Sequence, residues 1–232
     1  SYELEATLEK RVKRQLLEDV RSICPEDVTI MHVRQGEAKG LGHAVHCAAS
    51  AVGGEPFVVI LPDVLVSNGL DKTNDLARMI GEFEDKNAAQ IMVGEVPDDK
   101  VQLYGIADCE GIVPALGQSA AIKGLVEKPD QKESPSNLAV IGRYVLPGKI
   151  MSLLAEGKPG AGGEIQLTDA IAAEIAEDRP VHGFRFKGRR FDCGSKSGFL
   201  QATVSFGLER PELRDDLMSY IQGVVSHQKA AE

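Results

Sequence analysis

The 232-residue chain is poor in cysteine, in positive charge and in long apolar runs, and each shortage excludes a class of protein. Its four cysteines are far apart without a C-x-x-C pair, which argues against a disulfide scaffold or a zinc finger. Lysine and arginine total 26 against 35 aspartates and glutamates, and the net charge of -9 argues against binding to nucleic acid or an anionic membrane. No apolar run approaches the roughly 18 residues of a membrane helix, and no signal peptide is apparent, so we expect a cytoplasmic protein.

The composition predicts one sizeable domain. Hydrophobic residues make up 43% of the chain, enough to bury a core. No repeat or linker divides the sequence, so residues 1–232 are expected to form a single domain. A helix over 211–229 has an apolar face that would dock on this domain or join subunits.

The order of the hydrophobic patterns predicts an α/β fold. The first half should contain a helix over 4–20, a strand over 28–33, a helix over 44–51, a strand over 57–61, a helix over 74–83 and a strand over 90–96. The run over 57–61 lacks alternation, as in a parallel strand buried on both faces. The second half should contain strands over 101–107, 122–127, 138–146 and 181–187, helices over 148–156 and 166–177, and a helical tail. We therefore expect a mixed, mainly parallel sheet flanked by helices.

A glycine-rich loop precedes the helix over 44–51. Residues 35–42 place exposed backbone N–H groups at a helix start, which suits an anion or the edge of a ligand. The loop is not a P-loop, because no Gly-Lys-Ser/Thr follows, and the third glycine of the dinucleotide fingerprint is absent. A ligand loop and a tight strand-to-helix turn both remain open.

Two aspartates are candidate metal ligands. Asp63 follows the strand over 57–61 at its carboxyl end, where open α/β sheets bind ligands. A carboxylate there suits magnesium held against phosphates, and a helix cap is the alternative. Asp192 follows a stretch with four cations, residues 185–190, that fits a phosphate site or a solvated strand edge.

Opposite charges end the predicted strand over 122–127. Pro129 is expected to hold Lys128 extended, so that Glu127 and Lys128 project in different directions. Such a pair suits two polar parts of a ligand, a hydroxyl and a phosphate. A plain strand-end turn is the alternative.

Six motifs occur in an order that resembles a known family. They are QGEAKGLGHA at 35–44, ILPDV at 60–64, LVEKP at 125–129, SNLAVIGR at 136–143, GEIQLTDAI at 163–171 and DCG at 192–194. Each motif alone is weak, but the six in register are specific. The chain resembles, from residue 2 to about residue 200, the bacterial UTP:glucose-1-phosphate uridylyltransferases of the sugar nucleotidyltransferase family.

The resemblance implies a fold, a reaction and an assembly. The fold would be a Rossmann-like mixed sheet flanked by helices. The reaction would join UTP and glucose 1-phosphate into UDP-glucose and pyrophosphate with Mg²⁺, and the enzyme would be a homo-oligomer, a dimer or tetramer. It would act without nucleic acid or membrane partners.

The resemblance also implies roles for individual residues. Catalysis would rest on Lys128, which would contact phosphate, and on Asp63. The metal would be held by Asp63 and Asp192. The uracil base would be bound by Gln35 and Gly40. The sugar would be bound by Gly105, Glu127, Asn137 and Glu164.

One part of the family pattern is missing. Neither its G-x-G-T-R loop nor its P-K-x-x-L-P motif, which together cradle the triphosphate, occurs in the sequence. The chain is therefore expected to be N-terminally incomplete, and the want of that loop leaves its activity as given open. Two alternatives stay open: a UDP-glucose-binding fragment without turnover, and a thymidylyltransferase that uses the same sugar phosphate.

Overall fold

The computed structural model describes residues 2–25, 27–69 and 73–231 of the chain. Two compact units are distinguished, Ser1–Arg34 and Gln35–Glu232. The helices are α1 (Tyr2–Lys10), α2 (Arg14–Ser22), α3 (Leu41–His46), α4 (Ala49–Val52), α5 (Asp75–Lys86), α6 (Ile150–Ala155), α7 (Leu167–Ala176), α8 (Lys196–Glu209) and α9 (Pro211–Ala231). The strands are β1 (Phe57–Ile60), β2 (Val64–Ser67), β3 (Ala89–Glu95), β4 (Gly105–Asp108), β5 (Ser119–Ala121), β6 (Gly124–Glu127), β7 (Leu138–Leu146), β8 (Val181–Arg185) and β9 (Arg189–Asp192). Short 3₁₀ turns cover Asp98–Leu103 and Ala161–Gly163.

The smaller unit is a helical hairpin. The single helix predicted over 4–20 is interrupted between α1 and α2, where Val12 has a left-handed φ of 53°. The break lets both helices turn a leucine inward, and Leu8 and Leu17 are buried. Arg21 of α2 ties the hairpin by pairing with Glu5 and Glu9 of α1, at 3.3 and 2.7 Å.

The strand predicted over 28–33 is wrong. These residues have no regular structure, and their large apolar side chains are about half exposed or more. A strand is stable only with a hydrogen-bonded neighbour, and none of the described residues supplies one.

The larger unit is built on a seven-stranded sheet. Its order is β5-β8-β3-β7-β4-β6, and β1 also pairs with β7. The expected mixed α/β fold is confirmed. The sheet is not mainly parallel as predicted, however. Among the described strands, β3 and β8 are the one parallel pair, and the other pairs are antiparallel. The central strand β7 runs antiparallel to all three of its neighbours.

Strand β7 is the core of the sheet, and all nine of its residues are buried. Alternate side chains enter two hydrophobic clusters on opposite faces: Leu138 and Val140 belong to one, Ala139 and Ile141 to the other. Burial on both faces explains why most residues of the strand are apolar.

One edge of β7 is shared by two strands. Along the opposite edge β3 pairs with almost the whole strand, whereas β1 pairs with residues 143–146 and β4 meets Ala139. Residues 140–142 lie between these two pairings. This gap in the ladder becomes the wall of the site described below.

Strand β1 differs from the prediction of a parallel strand buried on both faces. It runs antiparallel to β7, and its exposure alternates. Phe57 and Val59 pack on the core, whereas Val58 and Ile60 are 36% and 53% exposed. The run FVVI favours a strand but carries no information about its direction.

Several other elements match their predictions closely. Strand β7 has the predicted bounds, and α5 begins where Asn74 caps the helix by accepting a hydrogen bond from the N–H of Ala77 at 2.8 Å. The strand predicted over 101–107 is wrong in its first half, which forms the 3₁₀ turn Asp98–Leu103 before β4. Strands β2, β5 and β9 were not predicted.

The C-terminal helix extends slightly beyond the expected 211–229. It lies against α8, since a Cβ on Gly207 would be 2.8 Å from Leu217. Docking on the preceding helix therefore accounts for part of its apolar face, and subunit contact stays a prediction. None of the helices in the described part of the chain combines the length and apolar composition needed to cross a bilayer.

Truncation of the central strand should be costly. We expect Leu146→Ala, at a fully buried position of β7, to lower the free energy of unfolding by about 2–5 kcal/mol in urea denaturation, because it leaves a cavity. Leu116→Ala is the matched control, since Leu116 is 56% exposed, and it should cost less than about 0.5 kcal/mol. Equal effects for the two variants would contradict this assignment of the core.

Candidate functional site

The turn that carries Asp63 is held in place by a buried arginine of β7. Arg143 of β7 is 9% exposed and donates hydrogen bonds to the carbonyls of Leu61 at 2.9 Å and Val64 at 2.5 Å. These two carbonyls bracket the turn from β1 to β2. Burial lowers the pKa of the Arg143 guanidinium, and the negative charge of Asp63 opposes that shift. The turn is therefore fixed by a cation whose bonds go to neutral carbonyls.

A two-stranded ribbon brings the second aspartate beside the first. Strands β2 and β9 are antiparallel, with Val64 opposite Asp192, and the Cys193 N–H donates to the carbonyl of Asp63 at 2.7 Å. A Cβ on Gly194 would lie 3.2 Å from Oδ1 of Asp192 and 3.4 Å from Oδ2 of Asp63. The two carboxylates thus flank one position that has no side chain.

This pair fits a magnesium ion that takes its other ligands from phosphates. Carboxylate oxygens are the donors that Mg²⁺ prefers, and it commonly uses one or two of them together with substrate phosphates and water. No cluster of three or more metal-binding side chains occurs among the described residues. A complete protein cage for a metal is therefore not found in the part of the chain that the structure describes.

Both aspartates line a cavity of about 390 Å³ at the gap between β1 and β4. Residues 140–142 of β7 form part of its wall, together with Leu61 and Leu167. Its polar lining residues are Asp63, Tyr104, Glu127, Lys128, Tyr144, Gln166, Thr168, Arg190 and Asp192. The volume lies in the range of small-molecule sites.

Glu127 is held by neighbours on two elements. Its Oε2 accepts a hydrogen bond from Thr168 Oγ1 at 2.9 Å, and Gly105 lies opposite Glu127 in the β4–β6 ladder. A Cβ on Gly105 would be 3.0 Å from Oε2 of Glu127 and 3.1 Å from Cγ2 of Thr168. Gly105 therefore leaves the space in which the carboxylate sits.

A neutral phenol accompanies this carboxylate in the cavity lining. Burial, and then the charge of Glu127, raise the pKa of Tyr144, so its hydroxyl remains a hydrogen-bond donor at neutral pH. A carboxylate beside neutral hydroxyl groups suits a polyhydroxylated ligand.

Lys128 departs from the expected extended conformation. Its φ is 48°, in the left-handed region, and its N–H donates to the carbonyl of Tyr104 at 2.9 Å. This hydrogen bond overrides the local preference of a residue that precedes proline. The charges of Glu127 and Lys128 also do not diverge, because Nζ of Lys128 is 3.8 Å from Oε1 of Glu127.

The glycine loop forms a separate group of predicted residues. Nε2 of Gln35 donates to the carbonyl of Gly40 at 3.2 Å and lies 2.9 Å from Nδ1 of His43. Gly40 has a φ of 101°, and a Cβ there would be 2.7 Å from the carbonyl oxygen of Ile165 and 2.8 Å from Cβ of Glu164. Close backbone approach therefore requires glycine at this position, as in the tight-turn interpretation.

Of the loop over 35–42, Leu41 is the one residue in the lining of the cavity, among the residues that the structure describes. Leu41 follows Gly40 directly. Gln166, which follows the Glu164–Ile165 segment, also lines the cavity. Asn137 lies at a different cavity of about 300 Å³, together with Asp98, Gln131 and Ser134. The structure thus brings together Asp63, Gly105, Glu127, Lys128 and Asp192. The roles of these five residues stay predictions, as do those of Gln35, Gly40, Glu164 and Asn137.

Comparison with known proteins assigns the family. The sequence model described as nucleotidyl transferase matches residues 4–207. The chain belongs to the nucleotidyl transferase family. A Haemophilus influenzae protein named UTP--glucose-1-phosphate uridylyltransferase is 52% identical over 226 residues, which are 97% of this chain and 76% of that protein. An Escherichia coli protein of the same name is 52% identical over 225 residues, 96% of this chain and 73% of its own length.

Solved structures agree with this nucleotidyl transferase fold. A UDP-glucose pyrophosphorylase from Acinetobacter baumannii matches with a TM-score of 0.86 and 48% identity, over 97% of this chain and 76% of its own. A UTP-bound UGPase from the same organism matches with a TM-score of 0.86 and 48% identity, over 96% and 75% of the two chains.

Sequence reasoning missed Tyr104, Thr168 and Arg143, and it considered Arg190 only as one of four cations over 185–190. Tyr104 and Thr168 carry no local signal, because they reach the cavity through the 3₁₀ turn and through α7. Arg143 stands inside a buried apolar strand, which was a signal that a charged residue there has a specific partner. Arg190 and Asp192 are two residues apart, and period-two alternation places them on one face once β9 is recognised as a strand.

Removal of the arginine under the Asp63 turn should destabilise the protein. We expect Arg143→Met to lower the free energy of unfolding by at least about 2 kcal/mol, because buried carbonyls lose a charged donor. Arg143→Lys should recover part of that loss, since an ammonium can satisfy some of the same carbonyls. Urea denaturation measures both variants, and a methionine variant as stable as wild type would contradict the role.

Proposed function

We propose that the protein transfers the uridylyl group of UTP to glucose 1-phosphate, forming UDP-glucose and pyrophosphate. The observation that carries the proposal is the single cavity in which the carboxylate pair Asp63 and Asp192 meets Glu127 and Lys128. The names of relatives that are 52% identical support the choice of substrates.

The reaction needs alignment and charge neutralisation more than a reactive side chain. A phosphate oxygen of glucose 1-phosphate attacks the α-phosphorus of UTP, a new P–O bond forms, and the bond to the β-phosphate oxygen breaks to release pyrophosphate. The protein contributes by holding the attacking and leaving oxygens in line and by stabilising the charge on them. Lys128 can act as a point charge on a phosphate.

The carboxylate of Glu127, which Thr168 holds, marks the part of the site where the sugar would bind. Oε1 of Glu127 faces Lys128 at 3.8 Å and retains capacity to accept hydrogen bonds from sugar hydroxyls. Gly105 leaves the space that this carboxylate occupies. The amide of Gln35 and the backbone of Gly40 would bind the uracil base, with Glu164 and Asn137 as supporting residues.

Asp63 and Asp192 would hold the magnesium ion. When bound, the ion would neutralise phosphate charge between the substrates. The buried bonds of Arg143 and the pairing of β2 with β9 place the two carboxylates beside one another before substrate arrives. A cytoplasmic location and a homo-oligomeric state stay predictions from the sequence.

Neutralising either aspartate should abolish turnover. We expect Asp63→Asn and Asp192→Asn to reduce kcat/KM by at least about 100-fold, in an assay of pyrophosphate release from UTP and glucose 1-phosphate with magnesium, because charge stabilisation is lost. Asp99→Asn, at an exposed site outside the cavity, is the control and should behave as wild type. EDTA should abolish activity and added Mg²⁺ restore it.

The same assay separates the alternatives. A wild-type protein that binds UDP-glucose in calorimetry but releases no pyrophosphate would be a binding fragment. Faster turnover with dTTP than with UTP would identify a thymidylyltransferase instead.

The space at Gly105 gives a test of the sugar end. We expect Gly105→Ala to raise KM for glucose 1-phosphate about 10-fold and to leave KM for UTP within about 2-fold, because the added methyl displaces Glu127. Gly124→Ala is the matched control on the neighbouring strand, where the nearest atom to an added Cβ is at an ordinary 3.8 Å. An equal rise of both KM values in Gly105→Ala would count against a local sugar site.

A further inference from the structure

Arg190 is a cation of the cavity that the proposed reaction has not yet used. Its side chain is 16% exposed on β9, and its guanidinium lies 4.8 Å above the centre of the Tyr104 ring. Nη2 donates a hydrogen bond to the Tyr104 hydroxyl at 3.1 Å. The ring and the hydroxyl of Tyr104 therefore hold the guanidinium in place without neutralising its positive charge.

The charge of Arg190 has only weak compensation from the protein. Its nearest paired carboxylate oxygen, Oδ2 of Asp192, is 3.6 Å from Nη2, longer than a hydrogen bond. Its Nε is buried and has no hydrogen-bond partner among the described residues. An unpaired polar group in a poorly solvated position costs free energy unless another partner satisfies it.

Two other arginines of the same unit show the contrast. Arg143 makes three hydrogen bonds to carbonyls, and Arg185 is bound to the carboxylate of Glu95 and the carbonyl of Pro114. Both make several hydrogen bonds within the protein. Arg190 is the less satisfied arginine, and it is the one of the three that lines the 390 Å³ cavity.

The position of Arg190 suits a phosphate. Arg190 shares one strand face with Asp192. The other cation of the lining, Lys128, has a side chain that is 56% exposed. A planar guanidinium offers several N–H donors in fixed directions, which match phosphate oxygens better than an ammonium does. A fixed arginine therefore adds orientation to the charge that the exposed lysine supplies.

We propose that Arg190 binds the phosphate of glucose 1-phosphate, with Tyr104 positioning its guanidinium. This inference rests on the proposed function, because it identifies which residue recognises the phosphate of that substrate. In UDP-glucose the same contact goes to the phosphate that carries the glucose.

A neighbouring arginine provides the matched control. Arg189 also stacks on an aromatic ring, with its guanidinium 4.8 Å from the centre of Phe191, but it is exposed and lies outside the cavity lining. We expect Arg190→Gln to raise KM and the calorimetric Kd for glucose 1-phosphate by about 10-fold or more, with KM for UTP changed less than about 2-fold. Arg190→Lys should fall between this variant and wild type, and Arg189→Gln should match wild type.

A second variant covers the case in which Arg190→Gln fails to fold. Tyr104→Phe keeps the ring and removes the hydroxyl that Arg190 contacts, so we expect a smaller rise in KM for glucose 1-phosphate at unchanged Tm. A folded Arg190→Gln variant that binds glucose 1-phosphate and UDP-glucose as wild type would overturn the proposal, as would an unchanged KM in Tyr104→Phe if Arg190→Gln does not fold.

The outcomes for the two proposals are distinguishable. Wild-type turnover with a normal Arg190→Gln variant overturns the role of Arg190 alone. Wild-type binding of glucose 1-phosphate without turnover overturns the uridylyltransferase, while the binding measurements still decide on Arg190. A wild-type protein that binds neither glucose 1-phosphate nor UDP-glucose overturns both.

Discussion

The site depends on the way in which β7 divides one of its edges between two strands. Because β1 pairs with residues 143–146 and β4 meets the strand at Ala139, residues 140–142 have no strand along that edge and form a cavity wall. Two of its carboxylates are placed by elements attached to this frame. The Asp63 turn extends from β1, and Glu127 comes from β6, which pairs with β4.

The buried cation beneath the site, Arg143, has neutral hydrogen-bond partners. Arg143 donates hydrogen bonds to carbonyls of the turn. Asp63 is therefore positioned without a salt bridge to Arg143 that would occupy its oxygens. Glu127 is likewise held by the hydroxyl of Thr168. The carboxylates keep acceptor capacity for a ligand or a metal, and a chain with a net charge of -9 can still present Lys128 and Arg190 to an anion.

Particular elements show how far the sequence predicts this fold. Strand β7 and helix α5 were predictable because hydrophobic patterning and an N-cap are local properties. The direction of β1 and the left-handed Lys128 were not, because each is set by hydrogen bonds to residues distant in the sequence. The ribbon of β2 and β9 was missed for a related reason: two four-residue segments become strands only through each other.

The sequence by itself determined the α/β class, the family resemblance and five residues that meet in one cavity, Asp63, Gly105, Glu127, Lys128 and Asp192. Motifs and apolar runs are written along the chain and need no partner to be recognised. Tertiary structure alone decided that Arg143 supports the Asp63 turn, that Asn137 lies at another cavity, and that Arg190 and Tyr104 complete the lining. The physical reason is that burial, strand direction and unsatisfied hydrogen bonds are properties of pairs of segments, and the chain must fold before those pairs exist.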